Sequence, residues 1–197
     1  MRKFSIFLIS LLIFALPAYS QDYPDELLLQ LLQGKSEDTT KQTITVYLNT
    51  EIGEPKNYVD LTNLLDNAKK EQTIIFKINS PGGDVLAMLD IINAIKRTKA
   101  TTIADIQFAA SAAALIALSC NKIKVERYAI MMLHSMRGGM QGTPNENMEE
   151  AKLFVALNND VLKTVCKGFL TDKEIDSIIT GSTMWIYEDS ILKRIKK

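Results

Sequence analysis

Between Thr73 and Arg97 an almost unbroken apolar stretch, Thr73-Ile74-Ile75-Phe76-Lys77-Ile78, runs through Asn79-Ser80-Pro81-Gly82-Gly83 into Val85, Met88, Leu89, Ile92 and Ile95 at helical spacing. A buried strand that turns on glycines into an amphipathic helix predicts a β-α-β crossover and a parallel sheet. The flanking segments agree. Thr43 to Leu48 alternates and is β-branched, Glu51 to Lys56 holds the glycine and proline of a loop, and Tyr58, Leu61, Leu64 and Leu65 recur at helical spacing. An α/β class follows.

Downstream, Ala100 to Ala104 reads as a strand, and Ala109 to Leu118 as a small-residue apolar helix that contains Ser111. Ile123 to Val125 and Ala129 to Leu133 read as two strands. Gly138, Gly139 and Gly142 mark an open loop before a long helix from about Asn147 to Lys167. A shorter helix, Asp172 to Ile179, is opened by Thr171 and Asp172, and a last segment starts at Thr183.

The N-terminus has the three parts of a secretory signal: Arg2 and Lys3, an apolar run from Phe4 to Leu16, and Ala18-Tyr19-Ser20 before Gln21. The run is shorter than the roughly 20 residues of a membrane span. The expected organisation is a signal peptide over 1–20, a flexible arm over 21–41 and one domain over 42–197, with a periplasmic or secreted product. An uncleaved signal would make it a membrane-anchored one. The chain has 23 basic and 23 acidic residues and no basic block, so composition does not point to nucleic acid. A single histidine and no Cys-x-x-Cys leave a zinc site short of ligands, and no metal or other cofactor is expected. Cys120 and Cys166 leave a disulfide and two free thiols equally open.

Three features carry chemistry. Adjacent glycines after a strand let backbone approach a substrate, and an N–H there can meet a developing oxyanion, although Pro-Gly-Gly is also plain turn punctuation. Ser111 stands among alanines in Ala109-Ala110-Ser111-Ala112-Ala113-Ala114, where it suits a reachable nucleophile or a helix N-cap. His134 closes the strand Ile130-Met131-Met132-Leu133-His134, and it is either a structural histidine or the base for Ser111.

Taken together, these motifs resemble the proteolytic subunit of Clp protease. The resemblance runs from about Thr43 to Ile195, on Asn79-Ser80-Pro81-Gly82-Gly83, Ala109-Ala110-Ser111, Met132-Leu133-His134 and Gly138-Gly139-Met140-Gln141-Gly142, in family order. It implies an α/β spiral of repeated β-β-α units of the ClpP/crotonase type with a protruding handle helix. It also implies Ser111 as nucleophile, His134 as base, and the N–H groups of Gly83 and Ala112 as the oxyanion hole of an enzyme that cleaves peptides or unfolded protein. Stacked homo-oligomeric rings follow from the same resemblance.

The sequence departs from the family at three points. Where the family has an aspartate followed two positions on by an aromatic, this chain has Thr183 and Trp185; threonine cannot stabilise an imidazolium by charge. Lys152, on the handle-like helix, lies roughly where exported Ser-Lys peptidases of the signal-peptide-peptidase and NfeD type carry their base, and it also fits a solvated helix lysine. An export signal would separate the protein from the ATP-driven unfoldase that is the family's usual partner. Two other classes stay open: a catalytically weak homologue that assembles or binds peptides, and a crotonase-type acyl-transfer enzyme, which the export signal and the Ser111 and His134 motifs disfavour.

Overall fold

A computed structural model describes residues 42–139 and 141–196; the expected signal peptide and arm lie outside the described residues. Among the described residues five strands form one sheet in sequence order: β1 (Thr43–Leu48), β2 (Thr73–Ser80), β3 (Thr101–Ala110), β4 (Lys122–Leu133) and β5 (Met184–Tyr187). The first four pair in parallel and β5 runs antiparallel to β4. Helices α1 (Val59–Asn67), α2 (Val85–Arg97) and α3 (Ala112–Ser119) make the crossovers. The long α4 (Pro144–Val165) and then α5 (Asp172–Ile179) connect β4 to β5, and α6 (Glu188–Ile195) ends the chain against β4. This is the expected α/β fold, with α4 in the handle position. No helix among the described residues is long and apolar enough to cross a membrane.

The nearly continuous apolar run of β2 suggests burial on both faces, but the structure buries one more deeply. Ile74, Phe76 and Ile78 are fully buried, whereas Thr73, Ile75 and Lys77 on the other face are half-buried. Across that more open face, Tyr47, Lys77, Asp105 and Lys124 stand in register on four neighbouring strands. Asp105 is buried, and Lys77 and Lys124 reach its Oδ2 at 2.6 and 3.1 Å. Burial by itself would raise the Asp105 carboxyl, but the two ammonium groups outweigh it and hold it below its ordinary range.

Two local expectations are corrected. Ala109 and Ala110 belong to β3 rather than to the following helix, because pairing with Ser80 on one side and Met131 and Met132 on the other overrides alanine's helical preference. The two short strands after Asn121 are one strand, β4, interrupted by a bulge. Ile106 pairs with Val125 but Phe108 with Ile130, and the surplus is taken up around Tyr128 at φ 66°. Helix ends follow their local chemistry. Thr143 with Glu146 and Thr171 with Glu174 form capping boxes on α4 and α5. Glu174 also takes Arg194 of α6 at 2.7 and 3.0 Å, and that guanidinium brings its carboxyl down to about 2. Both cysteines are free thiols, and burial pushes each up to about 12.

Candidate active site

The site is built from the loops at the carboxyl ends of β2, β3 and β4, where ligands of open α/β sheets are bound. After β2, the buried Ser80 steadies the turn: its Oγ donates to Thr50 O at 2.6 Å and accepts the Gly82 N–H at 3.2 Å. Ile52 then pairs with the turn, its N–H donating to Gly82 O and its carbonyl accepting from Asp84 N–H, both at 2.8 Å. In such a parallel bridge the flanking groups make both bonds, so the N–H of Gly83 points away from Ile52. Both glycines are required. Gly82 has φ 93° and Gly83 φ 150°, and a Cβ on Gly83 would lie 2.1 Å from Ile52 O. On Gly82 it would lie 2.6 Å from Ala110 O and 2.8 Å from Ser111 Cβ. The diglycine turn therefore rests directly on the serine motif.

Ser111 occupies the single-residue junction between β3 and α3, at φ 54° and ψ −123°. A non-glycine residue there carries on the order of 1–3 kcal/mol of backbone strain, held by its surroundings. Its N–H donates to Met132 O at 2.8 Å, and its carbonyl receives Ala114 N–H at 3.0 Å and Leu115 N–H at 3.2 Å. The side chain makes no capping bond, so the N-cap role open in the sequence is not taken up by the hydroxyl. Ala109, Ala110 and Ala112 are buried around it, which explains why only small residues flank it. The N–H of Ala112 is the first of α3, at the positive end of the helix dipole.

His134 follows β4 directly and is half-buried. Partial desolvation and the nearby Arg137 lower its pKa, with a backbone contact to Ser135 pulling the other way, so the ring is neutral at pH 7. The Ser111 to Met132 hydrogen bond places the serine alongside the last two residues of β4, beside the histidine. On the other side, β4 and β5 pair as Met132 with Trp185 and Leu133 with Met184. The pairing stops there, and His134 and Thr183 are the residues immediately beyond its last pair. Thr183 is exposed. Lys152 is exposed too, on the solvent side of α4, with Nζ 2.6 Å from Glu149 Oε1.

One polar residue escaped the sequence reading. Asn158 of α4 is buried and reaches the two residues after His134. Its only signal was an amide among the apolar positions Leu157, Val161 and Leu162. Beside it lies a cavity of about 300 Å³ lined by Ser135, Met136, Gly138, Gly139, Phe154 and Asn158.

The family model described as Clp protease matches residues 40–180, a span that includes Gly83, Ser111, Ala112 and His134 and stops short of Thr183. With a diglycine turn, a strained serine and a neutral histidine assembled at the ends of three parallel strands within that span, the chain belongs to the Clp protease family, a family of serine peptidases.

Proposed function

We propose that this protein is a serine endopeptidase that hydrolyses peptides or unfolded protein segments. Ser111 Oγ attacks the scissile carbonyl while neutral His134 takes its proton. The N–H groups of Gly83 and Ala112 receive the oxyanion, and the imidazolium returns the proton to the departing amine, leaving an acyl-Ser111 that water then hydrolyses. The observation that carries this reading is Ser111 itself: a strained, non-glycine junction whose hydroxyl is uncommitted, lying against two glycines that no other residue could replace. Thr183 takes the third position. It can orient the ring through its hydroxyl but cannot balance the imidazolium's charge, so turnover is slow for the family.

The Ser-Lys alternative gains no support from Lys152, since a lysine base has to be desolvated and this one is exposed and ion-paired. Export follows from the sequence of residues 1–20, and without a cytoplasmic unfoldase the substrates are peptides or already unfolded chains. Self-assembly is supported by Met148, Leu153 and Val155, large apolar side chains exposed along α4. A fluorophosphonate probe on the purified protein tests the mechanism. Labelling lost in Ser111→Ala and His134→Ala but kept in Lys152→Ala supports it. Loss in Lys152→Ala with His134→Ala still labelled moves it to the Ser-Lys class, and a folded protein that takes no probe is an assembly or binding protein.

A further inference from the structure

The two residues after His134 are tied down from opposite sides. Ser135 Oγ donates to Ile178 O in the last turn of α5 at 2.7 Å, and Met136 N–H donates to Asn158 Oδ1 of α4 at 2.9 Å. Asn158 Nδ2 completes the network on Ser135 Oγ at 3.4 Å and Asn159 Oδ1 at 3.2 Å. Asn158 is 7 % exposed, and a buried amide is tolerated when both its ends are bonded. Here most of that bonding is directed at the chain leaving His134. Apart from the packing of Met136 on the core, the surroundings are open: a cavity of about 300 Å³ adjoins the stretch, and Gly138 and Gly139 have nothing within 4 Å of where a side chain would begin. In enzymes of this chemistry an anionic side chain orients the imidazole from its far nitrogen. With neutral Thr183 at that position, the ring's direction depends on the backbone that carries it.

We propose that Asn158, acting with Ser135, is the positioning residue for His134: it sets the ring's orientation by fixing the two residues that follow it. This rests on the reading of His134 as the base, and it adds a residue on α4 to the machinery.

His134 is the only histidine, so its ring resonances can be followed by NMR through a pH titration of the intact protein without assignment ambiguity. In Asn158→Leu, which removes the acceptor at similar volume, the His134 midpoint moves up toward the ordinary value of about 6.5 as the ring gains water, and fluorophosphonate labelling slows about tenfold, the scale of one buried hydrogen bond. Asn158→Asp keeps an acceptor for Met136 N–H and retains a labelling rate within a few-fold of wild type. A folded Asn158→Leu protein with an unchanged His134 midpoint and an unchanged rate overturns the proposal. Should Asn158→Leu fail to fold, Ser135→Ala is read in the same two ways, with the same overturning result. A His134 midpoint that responds to these changes in a protein whose Ser111 takes no probe sinks the peptidase reading and leaves the positioning role standing.

Discussion

Around Ser111 the determinants are main-chain ones: positive φ angles, glycines where a methyl group would collide with a carbonyl, and alanines that are buried. Around His134 they are contacts from separate elements to the residues that follow it, the Asn158 side chain of α4 to Met136 and Ser135 and the Ile178 carbonyl of α5 to Ser135. Backbone geometry of the first kind tolerates no gradual change, because every alternative residue brings a clash or strain. The second kind can lose one member and retain the rest, and the aspartate expected at Thr183 is gone while the diglycine turn is intact. The two halves of the site thus differ in how far they can drift before function is lost.

The largest effect should come from Gly83→Ala. Its Cβ would sit 2.1 Å from Ile52 O, so the loss is about 3 kcal/mol or more, seen as a lower midpoint in denaturant and no probe labelling. A folded, labelled Gly83→Ala protein would break the distinction between the two halves. Thr183→Asp sharpens it from the other side. A carboxylate there should raise the histidine's pKa and speed labelling about tenfold or more, and an unchanged rate would mean that the third position does not communicate with the ring.

Next is Glu174→Gln, which removes the Arg194 pair that ties α5 to α6. It should cost about 1–3 kcal/mol in a neutral-pH melt. Because the Glu174 carboxyl is lowered to about 2 in the folded protein, its contribution is complete above about pH 4.5 and fades as pH falls toward 2, where variant and wild type should converge. Ser111→Gly should raise stability by about 1 kcal/mol through relief of the positive φ while abolishing labelling; a loss of stability would show that the strain is not there. The smallest change is expected from His134. Its lowered pKa means the unfolded chain binds more protons just below pH 6.5, so stability declines slightly as pH drops through that window and is unaffected above it, and His134→Gln should remove this slope from a series of melts.

Much of this was legible beforehand. The strands at Thr43 and Thr73 and the helix at Val85 were visible because hydrophobic period and turn residues agree there, and the diglycine, serine and histidine motifs because they occupy contiguous residues. The strand end at Ala109 and Ala110 was missed, since alanine has no strong local signal and the partners that make it a strand are 29 and 22 residues away in sequence. Asn158 was missed for a related reason: an asparagine in a helix declares nothing until the segment it bonds is known.

The sequence alone determined the α/β class, the glycine turn, and which serine and which histidine are candidates, because local periodicity and residue chemistry act over a few neighbours. Only the tertiary structure decided that Gly82 lies against Ser111, that the β4–β5 pairing ends one residue short of His134 and Thr183, that Lys152 faces water and that Asn158 grips the chain after the histidine. Those are relations between residues tens of positions apart, fixed by strand register and helix packing, which join segments that share no local pattern.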